Sequence, residues 1–308
     1  MLVLVNPQAQ GGRGARAWWR VARDVRRRLG AFRTVVPPTR ALAVRVLDEA
    51  LAAGERTFIA AGGDGTMNFL LTTLLERANG ARDELVLGAV GLGSSNDFHK
   101  PIRRGLEGRV PLRLDVRHAT PHDVCRLDWL DASGAWQRRW WIVNASVGVT
   151  ANGNLLYNRA AGLIGFMKRR SRSAAMALAA ARAVWSARPW AVRLAVDGVH
   201  LGLASLSNLA VVKNPHFTDS LYYDSPVEPA SGRFWVHVVH AASRVRLLHV
   251  LAGLARGQFV GTMGTASFPA RTLDLHADRP LPVEADGEVL VTRAARMTVC
   301  PRAVRVCP

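Results

Sequence analysis

The stretch Ala60-Ala61-Gly62-Gly63-Asp64-Gly65-Thr66-Met67 follows the short apolar run Thr57-Phe58-Ile59 and precedes a segment with helical spacing. Glycines let the backbone adopt positive φ and approach a ligand closely, and the N–H groups at a helix start point toward an anion. A strand, a glycine turn and a helix in this order therefore predict a nucleotide-phosphate site. A tight turn with Asp64 and Thr66 as local caps is the simpler alternative.

The carboxylate in this turn indicates that a phosphate compound would bind together with a cation. Asp64 would repel a bare phosphate, so its presence indicates a bridging Mg²⁺. The hydroxyl of Thr66 can add a contact to the ligand or cap the helix. We therefore expect the backbone from Gly62 to Thr66 to hold phosphates with a divalent cation close by.

Strands and helices alternate on both sides of this turn. The run Met1–Val5 is typical of a buried strand, and Trp18, Ala22, Val25 and Leu29 follow at helical spacing. Further helices are predicted from about residue 41 to 53, with Thr39 as N-cap, and from Met67 to about Ala78, closed by Asn79-Gly80. This alternation predicts an α/β domain with a parallel, doubly wound sheet.

Two other turns follow strand-like runs in this half. The turn Asn6–Gly14 comes after the first strand and carries the cation Arg13, which can offset phosphate charge, and the turn Gly91–Phe98 comes after Leu85–Val90. Parallel strands end at one edge of a sheet, so all three turns are expected to line one cleft. A solvated loop and an ordinary polar turn are the alternatives. The candidate nucleotide contacts in these two turns are Asn6, Arg13, Gly93, Ser94, Asn96 and Asp97.

The sequence after Pro111 has a different pattern of predicted secondary structure. Short strand-like runs predominate, Asp197-Gly198 reads as a hairpin turn, and helices are predicted at Ser173–Ala187 and Arg244–Arg256. Near the end, Val283–Val289 sets acidic side chains around a glycine. A hairpin explains this pattern, but phosphoryl transfer to an alcohol also needs a carboxylate to accept a proton, and Asp286 in this turn is the candidate.

Composition limits the class of protein. The 308 residues are enough for two domains, and no apolar run reaches the roughly 20 residues of a membrane span. Three cysteines without a metal or disulfide spacing favour a cytoplasmic protein. The net charge of +18 attracts polyanions, although a compositional bias toward Arg explains it equally well. No nucleic-acid-binding signature accompanies the charge, so nucleic acid is not expected as a partner.

The order of these motifs resembles the diacylglycerol kinase catalytic-domain family, which includes bacterial lipid kinases and the sphingosine and ceramide kinases. The resemblance spans nearly the whole chain, and the Gly62–Thr66 turn is its most specific part, although NAD kinases and phosphofructokinases carry related turns. The segments that carry it are Asn6-Pro7, Gly62–Thr66, Gly93–Phe98, Asn144–Gly148 and Asp286–Glu288.

This resemblance implies a Rossmann-like domain, residues 1–115 with 293–308, and a β-sandwich-like domain, residues 116–292, with ATP in the cleft between them. The last strand, from about Met297 to Val306, would return to the first domain. The resemblance also implies that Asp64 takes part in Mg²⁺ binding through water, that Asp286 is the general base and that Glu288 supports it. Nucleotide contacts would come from the turns, including Gly62, Gly63, Gly65 and Thr66.

Several positions depart from the family pattern. Ser94 and Ser95 stand where the family has Thr and Gly, and Phe69 replaces a Glu after the first turn. His216–Ser220 replaces a triple-glycine segment, and Ser231-Gly232 stands where some members have an Asp-Gly that supports a structural metal. We therefore still expect an ATP site, and we expect the acceptor pocket and the place of the structural metal to differ from those of the family. Segments Lys213–Phe217 and Leu221–Asp224 are candidates for lining the acceptor region.

The implied activity is ATP- and Mg²⁺-dependent transfer of the γ-phosphate to a hydroxyl of diacylglycerol or a related lipid. A catalytically altered phospholipid- or nucleotide-binding protein of the same fold, and a kinase of a soluble alcohol such as NAD, stay open as alternatives. A homodimer is also left open.

A lipid substrate would require peripheral contact with an anionic membrane surface, and residues 162–190 have suitable side chains. A core-packed helix with one solvated basic face is the alternative. The cations of this segment are Lys168, Arg169, Arg170 and Arg172, and its candidate inserting residues are Leu163, Ile164, Phe166 and Met167.

Overall fold

The structure is a computed structural model that describes residues 1–78, 82–93, 95–101, 110–159, 162–217 and 221–308, apart from the side chains of residues 169, 172, 173, 203 and 204. Within this part of the chain, helices α1 to α8 are Ala9–Gly12, Gly14–Leu29, Arg40–Ala52, Asp64–Arg77, Val149–Arg159, Gly162–Arg170, Arg172–Trp185 and Arg244–Leu254. Strands β1 to β16 are Leu2–Val5, Arg33–Val35, Thr57–Gly62, Val86–Gly91, Leu112–Arg113, Thr120–Leu130, Trp136–Trp141, Asn144–Gly148, Trp190–Val196, Val199–Val212, His216–Phe217, Leu221–Tyr222, Phe234–His240, Thr265–Ala270, Thr272–Ala285 and Glu288–Val306.

A parallel sheet with helices on both faces forms the N-terminal half. Its strand order is β4-β3-β1-β2, and each of these pairings is parallel. In β1, Leu2 and Leu4 pack in one buried cluster with α3 and α4, whereas Val3 and Val5 pack with α2 in another. Successive side chains of a strand point to opposite faces, so a sheet buried on both faces needs continuous apolar strands. The α/β architecture predicted from the sequence is confirmed.

Antiparallel strands dominate the C-terminal half, as predicted. The order β14-β13-β10-β8-β15 forms one sheet path, β9 pairs with β10 and β15, and β6 pairs with β7 and β16. Side chains from β6 to β10 and from β13 to β16 form a single buried cluster that includes Trp141, Phe234 and Met297. The predicted hairpin turn Asp197-Gly198 joins β9 to β10, and both of its residues have positive φ, as a two-residue hairpin turn requires. The sandwich-like second domain is confirmed.

One long strand, β16, connects the two halves. It pairs antiparallel with β15 and with β6, and at its end Arg305 and Val306 pair in parallel with Val86 and Leu87 of β4. The sheet of the first half therefore continues into that of the second. This confirms the prediction that the last strand returns to the N-terminal domain.

The helix after the glycine turn begins earlier than the sequence pattern predicted. Helix α4 starts at Asp64 rather than at Met67, because the Gly63 carbonyl already accepts hydrogen bonds from the N–H groups of Thr66 and Met67. Residues Asp64 to Thr66 thus form the first helical turn itself. The predicted closing pair, Asn79-Gly80, lies outside the described residues.

Helix α5 was not predicted, because the polar, glycine-containing segment Asn152-Gly153-Asn154 has low helix propensity. Packing overrides that preference here. A Cβ placed on Gly153 would lie 3.7 Å from the Ala183 side chain of α7, so glycine allows the two helices to pack closely. The predicted helices at residues 173–187 and 244–256 correspond to α7 and α8. None of the described helices has the length and apolar composition needed to cross a bilayer.

A fully buried ion pair ties the second domain together. Lys213 Nζ lies 2.8 Å from Asp123 Oδ2, and both side chains are completely buried. The same ammonium donates to the carbonyl oxygens of Glu228 and Arg233, also at 2.8 Å. Asp123 in turn accepts hydrogen bonds from the N–H groups of Gly232 and Arg302. Lys213, a candidate for lining the acceptor pocket, is therefore engaged in this internal network.

We expect Asp123→Ala to lower the free energy of unfolding by about 3–5 kcal/mol, because the substitution leaves the Lys213 ammonium buried without its counter-charge. The matched control is Asp274→Ala, which breaks a partly exposed pair with Arg296 and should cost about 1 kcal/mol or less. Urea unfolding followed by circular dichroism measures both values. Equal losses in the two variants would contradict the role assigned to the buried pair.

Candidate functional site

A cleft of about 480 Å³ opens between the two domains. Its first wall consists of turns at the carboxyl ends of β1, β3 and β4, where parallel sheets place ligands. Its second wall consists of β8, β10 and the end of β15, with α5 and α7 beside them. The volume lies in the range of about 300–1,000 Å³ that is typical of small-molecule sites.

Two glycine turns form the narrowest part of the first wall. A Cβ on Gly93 would lie 2.5 Å from Gly63 Cα, so the backbones meet where neither residue has a side chain. Asn96 stabilises the second turn, because its Oδ1 accepts the Gly93 N–H at 2.9 Å and its Nδ2 donates to the Gly91 and Gly93 carbonyls. Asn96 therefore shapes the turn and is not among the residues that line the cleft in the described structure.

The start of α4 faces open space. A Cβ on Gly65 would meet no protein atom within 4 Å, and Gly63, Asp64, Gly65 and Thr66 all line the cleft. The first N–H groups of a helix lack partners within the helix and favour an anion. This geometry fits a phosphate group placed against the turn.

Asn6 connects the first strand to this turn. Its Nδ2 donates to Thr66 Oγ1 at 2.9 Å, and its Oδ1 accepts the Gln8 N–H at 2.9 Å. Thr66 Oγ1 lies directly over Gly62, which is buried and outside the cleft lining. Asn6 and Thr66 thus line the cleft as predicted, whereas Gly62 contributes by leaving room for Thr66.

Two carboxylates lie at the phosphate end of the cleft. Asp64 Oδ1 accepts the Phe98 N–H at 2.9 Å, and Asp97 lies beside it with its own oxygen 2.8 Å from Lys100 Nζ. Burial, followed by the negative charge of Asp97, raises the pKa of Asp64 to about 6. A cation bound near Asp64 would remove this electrostatic cost.

The carboxylates beside the glycine turns are of a kind that binds Mg²⁺. Mg²⁺ is usually held by one or two carboxylates together with substrate phosphates rather than by a closed protein cage. Asp64 and its neighbour Asp97 are the carboxylates here that would hold such a cation together with the phosphates. Among the described residues there is no cluster of three or more metal-ligating side chains.

Asp286 occupies the hairpin turn between β15 and β16, and its carboxylate accepts four hydrogen bonds. Its Oδ2 accepts from Asn68 Nδ2 and the Ile142 N–H, both at 2.9 Å. Its Oδ1 accepts from the N–H groups of Val143 and Asn144 at 3.0 and 3.2 Å. Burial raises the pKa of Asp286, and these hydrogen bonds act in the opposite direction. The carboxylate lines the cleft and joins α4 of the first domain to the β7–β8 connection of the second.

A second buried carboxylate, Glu284, lies close to Asp286 on the cleft wall. Its Oε2 accepts from Ser146 Oγ at 2.7 Å, and its Oε1 accepts from the Gly287 N–H at 2.5 Å. Burial is the largest cause that raises the pKa of Glu284 to about 7, and the charge of Asp286 adds to it. Both Glu284 and Ser146 line the cleft.

The remaining candidate residues have less central positions. Glu288 lies at the cleft edge, exposed, with its carboxylate 3.9 Å from Arg139. Arg13 is exposed at the residue before α2 and is not among the described cleft-lining residues. Ser94 lies outside the described residues.

Apolar and aromatic residues also line this cleft. The rings of Phe217 and Tyr223 stack at a centroid distance of 5.3 Å. Val212 of β10, Met176 of α7 and Tyr157 of α5 line the cleft with them. Phe217 and Tyr223 belong to the segments that the sequence nominated for an acceptor region.

Sequence reasoning missed two polar residues of the site. Asn68 lies four residues after Asp64 on a helix, and this spacing places both side chains on one face. Glu284 lies between the core residues Val283 and Ala285, so its side chain points to the opposite face of the strand. A single acidic residue in an otherwise apolar strand was the sequence feature that could have identified it. Neither pattern identifies a partner, because Asp286 and Ser146 are distant in sequence.

Comparisons with known proteins agree with this geometry. Residues 1–126 match the diacylglycerol kinase catalytic domain, and residues 145–308 match the YegS C-terminal NAD kinase beta sandwich-like domain. A crystal structure of a diacylglycerol kinase from Bacillus anthracis str. Sterne superposes with a TM-score of 0.70 over 99% of this chain and 96% of that one. Its sequence identity is 14%, so this likeness shows the fold alone.

Curated relatives are similar over a shorter segment. A "probable lipid kinase YegS-like" from Klebsiella pneumoniae (strain 342) is 48% identical over 88 residues, which are 28% of each chain. One from Xanthomonas campestris pv. campestris (strain 8004) is 39% identical over 87 residues, again 28% of each. The matched segment thus spans little more than a quarter of the length of these relatives.

We expect Gly93→Ala to destabilise the protein by about 1–3 kcal/mol, because the added methyl group meets the Gly63 backbone, which cannot move as a flexible side chain would. Gly65→Ala adds the same group in open space and should leave the melting temperature unchanged or slightly higher. Thermal unfolding compares the two. A lower melting temperature for Gly65→Ala than for Gly93→Ala would be inconsistent with the close approach of the turns.

Proposed function

The chain belongs to the diacylglycerol kinase catalytic-domain family, with a YegS-like C-terminal half, and on this premise we propose that it is an ATP- and Mg²⁺-dependent lipid kinase. The observation that carries the proposal is one cleft whose lining combines three kinds of residue. It includes glycine turns that suit phosphates, apolar and aromatic residues, and buried carboxylates.

Two groups of residues that line the cleft each support the proposal of one substrate. The N–H groups at the start of α4 and the open space at Gly65 suit the phosphates of ATP. Bound next to Asp64, Mg²⁺ supplies charge neutralisation for those phosphates. The partly buried ring of Phe217, stacked on Tyr223, gives the cleft an apolar surface that suits a hydrocarbon chain. These features favour a lipid acceptor, and diacylglycerol is our choice among them.

The reaction also needs a group that accepts the proton of the acceptor hydroxyl. The resemblance assigns this role to Asp286 with Glu288 in support, and Glu284 is a third carboxylate at the same place. All three belong to residues that line the cleft, Asp286 and Glu284 buried and Glu288 exposed at its edge. Positioning and electrostatic stabilisation account for most of the catalysis in phosphoryl transfer.

We expect Asp64→Asn to reduce γ-phosphate transfer at least about 100-fold, because the amide keeps the shape but lacks the charge that attracts the cation. The assay incubates [γ-³²P]ATP with vesicles that contain diacylglycerol and separates labelled lipid by thin-layer chromatography. Asp48→Asn, at the exposed end of a surface pair with Arg77, is the control and should be fully active. Full activity of Asp64→Asn would refute the role of Asp64.

The outer face of α6 supports contact with a membrane. Leu163 is 64% exposed and Phe166 is 52% exposed, and Arg170 continues the same helix face. Lys168 lies beside this face, with its ammonium 4.0 Å from the Tyr157 ring centroid. Apolar residues that are next to cations suit an anionic bilayer surface. We therefore propose that α6 docks on anionic lipid, close to the cleft wall that α5 and α7 form.

The structure corrects part of the sequence-based prediction for this segment. Ile164 is only 3% exposed and packs against Ala175 and Ala179, and Met167 packs partly against the same cluster. Ile164 therefore cannot insert into a membrane in this conformation, whereas Met167 is partly exposed. The side chains of Arg169 and Arg172 lie outside the described part of the chain.

We expect Leu163→Ser to weaken binding to phosphatidylglycerol vesicles by about tenfold, because burying one such side chain contributes about 1.5 kcal/mol. Leu201→Ser is the matched control, since Leu201 is 53% exposed on a distant hairpin. Vesicle sedimentation at low ionic strength measures both. The α6 surface is refuted if the two variants bind equally well.

A further inference from the structure

We propose that the outer face of α8, together with the residues beside it, is a second surface that docks on an anionic lipid bilayer. The inference rests on the proposed function for the kind of partner, and it deepens that function by naming a further part of the chain that meets the membrane. Five large, exposed hydrophobic side chains define this α8 surface, namely Trp185, Val245, Leu248, Val260 and Met263.

Helix α8 is apolar on two opposite sides. Its inner side carries Leu247, Val250 and Leu254, which belong to a buried cluster of the second domain. Its outer side carries Val245 and Leu248, three residues apart and therefore on one face, and Val245 is 78% exposed. A surface helix normally has polar residues on its solvent side, so apolar residues on both sides indicate that a further apolar surface covers α8.

The end of α7 and the chain after α8 both adjoin the first turn of α8. The guanidinium of Arg244, the first residue of α8, lies 4.7 Å from the ring centroid of Trp185, at the end of α7. A Cβ on Gly264 would lie 2.8 Å from the guanidinium of Arg246. Met263, directly before Gly264, is 82% exposed. The exposed hydrophobic residues here are therefore neighbours, and a group of this kind marks a binding surface more than scattered residues do.

Hydrogen bonds hold the α8 surface in one shape. Ser243 caps α8, because its hydroxyl accepts the N–H of Arg246 at 3.3 Å. The Asp224 carboxylate accepts the N–H groups of Phe259 and Val260 at 3.0 and 2.9 Å. Phe259 is buried, whereas Val260 is exposed. A surface that is already ordered binds without a large loss of conformational entropy.

Positive charge accompanies these apolar side chains. The segments 162–190 and 241–264, which contain α6, α7, α8 and the chain after α8, have nine Lys and Arg residues and no Asp or Glu. At a bilayer surface, anionic headgroups attract the cations while apolar side chains enter the boundary of the acyl chains. The α8 surface therefore complements an anionic bilayer in both charge and polarity. Exposed arginines of the two segments include Arg182, Arg188, Arg244, Arg246 and Arg256.

The same charges disfavour a second copy of this chain as the partner. A two-fold interface brings the same patch of both copies together. Arg244, Arg246 and Arg256 would then approach the arginines of the other copy, and like charges in contact oppose association. A bilayer with anionic headgroups supplies the opposite charge. The charge distribution therefore favours the membrane.

Helix α7 connects the α8 surface with α6 and with the cleft. Ala175 and Ala179 of α7 pack against Ile164 of α6, whereas Trp185 at the other end of α7 belongs to the α8 surface. Met176 of the same helix lines the cleft. Two contacts joined by one helix would restrict the orientation of the protein on the bilayer more than α6 alone, and they would keep the cleft close to the lipid.

The test compares binding to vesicles of phosphatidylcholine with phosphatidylglycerol by sedimentation at low ionic strength. The α8 double variant combines Val245→Gln with Leu248→Gln, since glutamine removes apolar surface and keeps good helix propensity. Its matched control combines Val199→Gln with Leu201→Gln, an exposed Val and Leu of the β9–β10 hairpin. We expect the α8 double variant to bind at least about tenfold more weakly than the wild type and the control to bind as the wild type does.

Tryptophan fluorescence tests insertion directly. Brominated phosphatidylglycerol quenches tryptophans that enter the bilayer. At saturating vesicle concentration we expect Trp185→Phe to show a smaller loss of fluorescence than the wild type, because the quenched indole is absent. Equal quenching in the two proteins would overturn the inference.

The outcomes separate this inference from the earlier proposals. If the wild type does not bind these vesicles, the membrane contacts of α6 and α8 both fail. If Leu163→Ser weakens binding but the α8 double variant binds as the wild type does, only the α8 surface is overturned. A wild type that labels no lipid refutes the kinase activity, whereas the binding comparison still decides on the α8 surface.

Sedimentation velocity tests the alternative partner. We expect the wild type and the α8 double variant to have the same oligomeric state. A wild-type dimer that becomes a monomer in the variant would overturn the inference in favour of a second copy. Should the α8 double variant not fold by circular dichroism, Met263→Gln replaces it, and unchanged binding of that variant together with unchanged quenching in Trp185→Phe overturns the inference.

Discussion

The carboxylate of Asp286 is the constraint on which the geometry of the cleft depends. It accepts one hydrogen bond from α4 of the first domain, through Asn68, and three from the backbone of the second, at residues 142 to 144 where β7 leads into β8. Removing a buried acceptor of this kind leaves several N–H donors without partners, and each costs about 1–3 kcal/mol. This side chain, in a two-residue hairpin turn, therefore holds the helix that follows the phosphate-binding turn against the second domain.

The carboxylates that line the cleft repel one another. Asp64, Asp97, Glu284 and Asp286 all contact one cleft, and burial and mutual repulsion raise the pKa of Asp64 and Glu284. In the proposed reaction, these carboxylates supply affinity for Mg²⁺ and an acceptor for the proton of the substrate hydroxyl.

The buried ammonium of Lys213 has a structural role in the second domain. The Lys213 ammonium is surrounded by the Asp123 carboxylate and the carbonyls of Glu228 and Arg233, close to Ser231-Gly232, where the sequence left a structural metal in doubt. A positive charge is thus provided at this place by a side chain of the chain itself. The buried pair joins β6 and β16 to the residue that follows β10, and β10 contributes to the second wall of the cleft.

The sequence by itself determined the α/β sheet, the mainly-β second half and the turn at Gly62–Thr66. These features depend on local signals, namely apolar runs, helical spacing and glycines between a strand and a helix. It also nominated Asp64, Asp97 and Asp286, which line the cleft. Only the tertiary structure decided which atoms meet: that Asn68 binds Asp286, that Ser146 binds Glu284, and that Ile164 packs inward while Leu163 stays exposed. These contacts join residues far apart in the chain or depend on which side of a helix is covered, and a local pattern contains neither piece of information.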